Sequence, residues 1–191
     1  MSSIAHDSQI RAALLPWILA ASGTGLRVLE EVGVHNERAR VDLLAVGDDL
    51  HAYEIKAARD NLSRLPWQIQ QFSPCFDRIT VACAPCHREG VLRLIPEWWG
   101  VLIASPMPMG PPIFRSHRSA EPNPDLNLQQ QALLLWAVEL AATVEAAGCA
   151  RGVRGKSSAK MAARLIETHT PEDLRALLRD RLRLRVLRAW R

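Results

Sequence analysis

Residues 41–60, VDLLAVGDDLHAYEIKAARD, decide the fold, because they read as two short strands joined by a tight turn. The runs 40–46 and 50–57 contain β-branched and aromatic residues, and a Gly-Asp-Asp triplet separates them. Acidic side chains interrupt both apolar runs, at Asp42 and at Glu54. A half-buried sheet has no structural need for these acids, so the stretch requires a chemical explanation.

The register of this hairpin determines whether the acids meet. If residues 47–49 form a three-residue turn, Asp42 lies opposite Glu54 with the two Cβ atoms about 4.5–5.5 Å apart. Lys56, two residues further along, then lies on the same face. A two-residue turn would place Asp42 opposite Ile55 and separate the carboxylates. The apolar pattern favours the first register, because it leaves a continuous core face. That face comprises Val41, Leu43, Ala45, Tyr53 and Ile55.

Two facing carboxylates and a lysine are typical of phosphodiester hydrolysis. Like charges at this separation are unfavourable unless a proton or a cation compensates them, and carboxylate oxygens suit Mg²⁺, for which Mn²⁺ can substitute. Lys56 would orient or deprotonate the attacking water. The chain has three lysines against 21 arginines, so a lysine at this position indicates a need for a compact, titratable amine. The alternative is a salt-bridged surface patch of Asp42, Glu54 and Lys56.

The spacing of these three residues resembles the motif of the PD-(D/E)XK nuclease superfamily. Residues 38–104 are similar to a group of small bacterial and phage proteins that are assigned to this superfamily and whose cellular roles are poorly defined. The resemblance implies a restriction-endonuclease-like core, in which helices flank a mixed central sheet. It also implies Asp42 and Glu54 as metal ligands and Lys56 as the catalytic lysine.

The resemblance implies two further site residues. An additional upstream acid is expected, and Glu31 or Glu30 can supply it. A two-residue turn at residues 36–37 would place Glu31 opposite Asp42. Glu31 is therefore the preferred catalytic and metal-binding candidate. The usual superfamily pattern has this acid on the first helix instead. Gln68, with an aromatic residue four positions later, is similar to the Gln-x-x-x-Tyr motif of RecB-like exonucleases. Gln70 is its competitor, and an exposed helix face is the alternative for both.

The remaining pattern predicts an α/β protein with three segments. Residues 1–104 form the nuclease-like core, with helices at 8–21 and 61–72 around strands at 26–34, 40–46, 50–57, 77–84 and 100–105. Residues 105–125 contain half of the twelve prolines and are predicted to be a linker or an extended arm. Residues 126–191 form a basic helical appendage, with helices predicted at 126–148, 157–169 and 171–190.

Charge is distributed unevenly along the chain. Residues 1–150 carry 12 basic and 16 acidic side chains, whereas residues 151–191 carry 12 basic and 4 acidic ones. Such a basic module indicates a polyanionic partner, nucleic acid before membrane. Candidate phosphate-binding residues are Arg59, Arg64, Arg175, Arg179 and Arg183, for which a solvated surface is the alternative.

Composition also restricts the setting of the protein. No window of 18 apolar residues occurs and the N-terminus lacks the pattern of an export signal, which predicts a cytoplasmic protein. CAPCH, residues 83–87, matches the pattern for covalent haem attachment, but that chemistry requires export. The four cysteines are too few and too unevenly spaced for a disulfide framework.

These observations predict a Mg²⁺-dependent DNA endonuclease or nickase of phage or bacterial type. A catalytically inactive protein that binds nucleic acid or another partner on the same fold is the first alternative, and an RNA-processing nuclease is the second. The sequence leaves open whether cleavage is endo- or exonucleolytic and whether the protein forms a homodimer.

Overall fold

The structure is a computed structural model that describes residues 6–21, 25–35 and 37–186. Its strands are β1 Arg27–Val34, β2 Ala39–Val46, β3 Leu50–Lys56, β4 Arg78–Cys83, β5 Gly100–Ser105 and β6 Ile113–Arg118. Its helices are α1 Asp7–Ala21, α2 Leu65–Phe72, α3 Arg88–Leu94, α4 Leu128–Ala132, α5 Ala137–Ala146, α6 Ser158–Thr168 and α7 Pro171–Leu184.

All six strands form a single mixed sheet in the order β1-β2-β3-β4-β5-β6. The first three strands are an antiparallel meander, β3, β4 and β5 run parallel, and β6 is antiparallel to β5. Helices connect the parallel strands, as a parallel crossover requires. The predicted α/β class with a mixed sheet between helices is therefore confirmed.

The predicted register of the β2–β3 hairpin is confirmed. Val46 pairs with Leu50 and Leu44 pairs with Ala52, so residues 47–49 form the three-residue turn. The pairing continues to Leu43 with Tyr53, and Asp42 and Glu54 are the next positions along the two strands. The turn and the register that the apolar alternation predicts are therefore confirmed as far as this last pair.

The β1–β2 register is also the predicted one. Glu30 pairs with Leu43 and Val32 with Val41, so Glu31 lies between them, opposite Asp42. Glu31 has a φ of 52°, which is uncommon for a residue with a side chain. Residue 36 of the predicted two-residue turn lies outside the described residues.

Hydrophobic side chains are buried on both faces of the sheet. On one face, α1 covers Leu43, Ala45, Tyr53 and Ile55. Val41 was predicted to share that face, but it belongs to the opposite core, which contains α2 and the C-terminal helices. Val41 and Leu43 would share a face in a regular strand, but they lie in opposite cores. The alternation of side chains is therefore interrupted at Asp42, beside Glu31 with its left-handed backbone.

Residues 105–125, predicted to be a linker or an extended arm, contribute one strand to the sheet. Within this segment Ile113–Arg118 forms β6 and pairs with β5. The outer edge of β5 carries backbone N–H and C=O groups that need partners, and β6 supplies them. Arg118 fixes the end of β6 by donating hydrogen bonds to the carbonyl oxygens of Trp99 and Pro96.

The C-terminal helices pack onto the sheet. Leu174, Leu178 and Leu182 of α7 are fully buried in the same hydrophobic core as the sheet residues of this face. The helix predicted over 126–148 is two helices, because residues 133–136 interrupt it. α7 begins at Pro171 as predicted, with the Thr170 side chain accepting a hydrogen bond from the Asp173 N–H. Among the described residues, no helix has the length and apolarity needed to cross a membrane.

Candidate functional site

A buried polar cluster lies where β3 ends against α2. Lys56 Nζ donates a hydrogen bond to Glu54 Oε1 at 2.7 Å, and Gln68 Nε2 donates to the same oxygen at 2.5 Å. Glu54 is 3% exposed, Gln68 5% and Lys56 7%. Three polar side chains are thus held together with little exposure to solvent.

Local structure explains how these residues meet. Glu54 and Lys56 are two residues apart on β3 and therefore point to the same face. Leu65, Gln68 and Phe72 form the buried side of α2, with helical spacing that aims Gln68 at β3. Gln70 is exposed, so Gln68 is the one of the two glutamines that reaches Glu54.

Two oxygen atoms in this cluster have no hydrogen-bond partner. They are Glu54 Oε2 and Gln68 Oε1, and both atoms are buried. An unpartnered buried acceptor is costly and is expected to have a ligand or a water in the working protein. Both atoms are oxygens, which are the donors that Mg²⁺ and Mn²⁺ prefer.

Asp42 is positioned by a different set of contacts. The Ile55 N–H donates to Asp42 Oδ2 at 2.7 Å, and Arg11 Nη2 donates to Asp42 Oδ1 at 2.6 Å. Arg11 Nη1 also donates to the backbone carbonyl of Asp42 at 3.0 Å. Both oxygens of this carboxylate therefore have a protein partner.

Arg11 connects Asp42 to two further acids. Its Nη2 lies 2.9 Å from Glu31 Oε1 and 3.7 Å from Asp7 Oδ2. Glu30 and Glu31 are both exposed, and Glu31, the preferred upstream acid, contacts the site through its ion pair with Arg11. Arg11 and Asp7 were not predicted from the sequence. Their signal is a charged pair at i, i+4 beside the buried Ile10 of an apolar helix.

Burial dominates the electrostatics of the two central acids. It raises the pKa of Glu54 to about 7, the charge of Asp42 adds to this, and the contacts from Lys56 and Gln68 oppose it. Burial likewise raises the pKa of Asp42, against the opposing effects of the Ile55 N–H and the Arg11 charge. Perturbed carboxylates of this kind concentrate at functional sites, although structural ion pairs produce them too.

The cluster opens into a cleft of about 580 Å³. Asp42, Glu54, Lys56 and Gln68 line it. Further charged and polar lining residues are Glu31, Glu37, Arg38, Arg40, Arg59, Asp60, Asn61 and Arg64. The predicted phosphate-binding residues Arg59 and Arg64 are both exposed. The cleft therefore combines an acidic floor with an arginine-bearing rim.

The other three predicted phosphate-binding arginines are not at this cleft. Arg175 and Arg179 line a separate recess together with Asp48, Asp49, Asp77 and other residues. Arg183 donates to the Gly47 carbonyl at 2.6 Å and pairs with Asp180. These contacts lie at the turn of the β2–β3 hairpin, whereas Lys56 lies at the opposite end of β3.

The described part of the chain brings few potential metal ligands together at this site. Within residues 6–21, 25–35 and 37–186, no group of three or more His, Cys, Asp or Glu side chains is arranged to hold a metal ion. The candidate donors are the unpartnered oxygens of Glu54 and Gln68, together with the Asp42 carboxylate, whose oxygens are hydrogen-bonded to Arg11 and the Ile55 N–H. Their chemistry fits a hard divalent cation, with Glu31 nearby as a further carboxylate.

Fold and site together define an α/β protein whose mixed sheet bears a buried acid, lysine and glutamine cluster beside an aspartate. A family model described as Bacteriophage P4 protein cII matches residues 1–188, and the chain belongs to that family. Protein cII of Enterobacteria phage P4 is 28% identical over 103 residues, which are 53% of this chain. The match covers 39% of that relative, so the chain spans about two fifths of its length. No solved structure matches.

Proposed function

We propose that this protein is a Mg²⁺-dependent phosphodiester hydrolase of the PD-(D/E)XK type that acts on DNA as an endonuclease or nickase. The observation that carries the proposal is the buried contact of Lys56 and Gln68 with Glu54, which leaves Glu54 Oε2 and Gln68 Oε1 without partners beside Asp42. The mixed sheet is consistent with the proposal, because Asp42 and Glu54 come from the adjacent strands β2 and β3 and line one cleft.

The burial of the cluster argues against a surface salt bridge. Exposed ion pairs contribute about 0–1 kcal/mol and hold no fixed geometry, whereas burying charged groups costs several kcal/mol per ion. Lys56 and Glu54 are both almost fully buried, and Gln68 adds a third polar side chain to the same carboxylate oxygen. A protein that needed only packing at this position would be as stable with apolar residues.

Each residue has a role in the proposed reaction. Asp42 and Glu54, with Glu31 as a further carboxylate and Gln68 through its amide oxygen, would hold the cation. A bound Mg²⁺ supplies Lewis acidity, which stabilises charge on the phosphoryl oxygens and acidifies a water. Lys56 donates from Nζ, which orients Glu54 and offers a proton-transfer group to the attacking water.

The rim of the cleft suits a polyanionic substrate. Arg59 and Arg64 are exposed beside the acidic floor, where a guanidinium binds a backbone phosphate with two hydrogen bonds. Such contacts carry no base specificity, so they support DNA as a polymer without selecting a sequence.

Cleavage assays test the proposal directly. The protein is expected to cut DNA in Mg²⁺ or Mn²⁺ and to lose this activity when a chelator removes the metal. A panel of single-stranded, double-stranded, supercoiled and RNA substrates separates a nickase or endonuclease from an RNA-processing enzyme. Cleavage at the same rate in chelator would overturn the proposed mechanism.

A catalytically inactive nucleic-acid-binding protein is the second candidate. It is favoured by one observation, namely that both oxygens of Asp42 already have protein partners. Metal titration distinguishes the two candidates. Salt-sensitive DNA binding without any Mg²⁺ or Mn²⁺ binding would favour the inactive protein.

The two proposed rim contacts, from Arg59 and Arg64 to DNA phosphates, are expected to contribute measurably to DNA binding. Arg59→Ala and Arg64→Ala are each expected to weaken DNA binding for all sequences and to reduce the slope of log K against log salt by about 0.9 per lost phosphate contact. Fluorescence anisotropy over a salt series measures both quantities. Arg175→Ala and Arg179→Ala are the matched controls, since they lie in another recess. A larger effect of the controls would place the DNA on the C-terminal helices.

A further inference from the structure

One guanidinium group is surrounded by three carboxylates at the edge of the cluster. Arg11 Nη2 lies 2.6 Å from Asp42 Oδ1, 2.9 Å from Glu31 Oε1 and 3.7 Å from Asp7 Oδ2. Its other terminal nitrogen, Nη1, donates to the Asp42 carbonyl at 3.0 Å. The Arg11 and Asp42 side chains are each only 19% exposed, so solvent screens this contact weakly.

The Glu54–Gln68 part of the site and the Asp42 part consequently differ in whether their oxygens are free to bind a ligand. Glu54 Oε2 and Gln68 Oε1 are available to a ligand, whereas Asp42 is already neutralised by a cation of the protein itself. Arg11 Nη2 lies 2.6 Å from Asp42 Oδ1, so the guanidinium acts as the counter-charge of this acid. A divalent ion and a guanidinium would use the same oxygen and would repel one another.

We propose that Arg11 competes with the divalent metal for Asp42 Oδ1, so that metal binding requires this ion pair to open. The inference rests on the proposed function, because it concerns the same metal. It assigns to α1 a role beyond packing, since Arg11 holds the Asp42 carboxylate in place until a metal binds. Glu31 and Asp7 remain as acceptors for the released guanidinium.

Isothermal titration with Mn²⁺ tests the competition without any measurement of activity. Arg11→Gln is expected to bind Mn²⁺ at least about tenfold more tightly than the wild type, which corresponds to about 1.4 kcal/mol. Arg11→Lys is expected to lie between the two, because an ammonium keeps the charge but loses the fork onto Asp42. Arg38→Gln is the matched control, since Arg38 is exposed and lines the same cleft. Its affinity is expected to stay within about twofold of wild type.

The outcomes separate the inference from the proposed function. Equal or weaker Mn²⁺ binding by folded Arg11→Gln, with the wild type binding, overturns the competition and leaves the nuclease proposal intact. The same gain in Arg38→Gln also overturns it, because general charge would then explain the effect. If Arg11→Gln does not fold, tighter binding by Arg11→Lys supports the competition and equal or weaker binding overturns it. If no variant binds Mn²⁺, the metal-dependent function fails and the competition fails with it.

Discussion

Lys56→Ala is expected to lower metal-dependent DNA cleavage by a factor on the order of 10²–10⁴ while the protein stays folded. Lys56 Nζ contacts Glu54 Oε1 at 2.7 Å, and the sequence supplies few lysines that could replace it. The substitution removes both the proton-transfer group and the donor that orients Glu54. Alanine also leaves the buried carboxylate without its cation, which favours the protonated form of Glu54.

Single-turnover cleavage of a labelled duplex, together with thermal melting, measures this effect. Lys160→Ala is the control, because Lys160 is an exposed lysine on α6. Lys56→Arg is a useful second variant, since it keeps the positive charge but replaces the compact amine with a planar group that does not deprotonate. Wild-type cleavage rates in folded Lys56→Ala and Lys56→Arg would show that this lysine is structural.

The hairpin could be predicted because its information is local. Apolar alternation and the Gly-Asp-Asp turn restrict the pairing of β2 with β3, and the same reasoning places Glu31 opposite Asp42. Gln68 was a candidate through the resemblance of its segment to the Gln-x-x-x-Tyr motif, with Gln70 as the competitor. These features depend on a few neighbouring residues, and each has a fixed geometric consequence.

The contacts that the sequence could not provide are long-range. Arg11 and Asp42 are 31 residues apart, and their contact depends on how α1 crosses the sheet. The burial of Glu54 depends on α2, whose buried face is recognisable only once the sheet is in place. The alternation of β2 gives no sign of the interruption that turns Val41 into the other core.

Composition did not predict the contacts made in the second half of the chain. The proline content of residues 105–125 indicated an arm, yet edge strands tolerate proline nearby, and β6 formed because β5 needed a partner. The basic charge after residue 150 indicated a DNA-binding face. Several of those arginines instead have internal partners, for example Arg185, which pairs with Glu139 at 2.5 Å and lies over the Trp136 ring.

Glu54→Gln is expected to abolish Mn²⁺ binding at the cluster and to lower cleavage by about 10²–10³-fold, comparable to the loss of one essential electrostatic group. Glutamine keeps the shape of the side chain and an acceptor for Lys56, but it removes the charge that attracts the cation. Glu37→Gln is the matched control, since Glu37 lines the same cleft and is exposed. Its metal affinity and its cleavage rate are expected to stay near those of the wild type.

Without metal, Glu54→Gln is expected to stabilise the fold relative to the wild type as the pH rises. The pKa of Glu54 is raised from 4.5 to about 7 in the folded protein, so folding favours the protonated acid. This contribution to stability is complete below about pH 4.5 and is lost as the pH rises through about 7. Glutamine does not titrate, so the melting temperature of Glu54→Gln relative to wild type should rise between pH 5 and pH 8.

Mg²⁺ should make the wild type more stable than Glu54→Gln at pH 8. At pH 8 the cation binds the folded wild type and raises its melting temperature, whereas Glu54→Gln gains nothing, because a ligand stabilises only the state that binds it. Thermal melts of both proteins at pH 5 and pH 8, with and without Mg²⁺, therefore test both the pH dependence and the effect of the metal. If Glu54→Gln is less stable than the wild type at pH 8 without metal, Glu54 is the partner of a structural salt bridge with Lys56. Its burial would then no longer support a catalytic role.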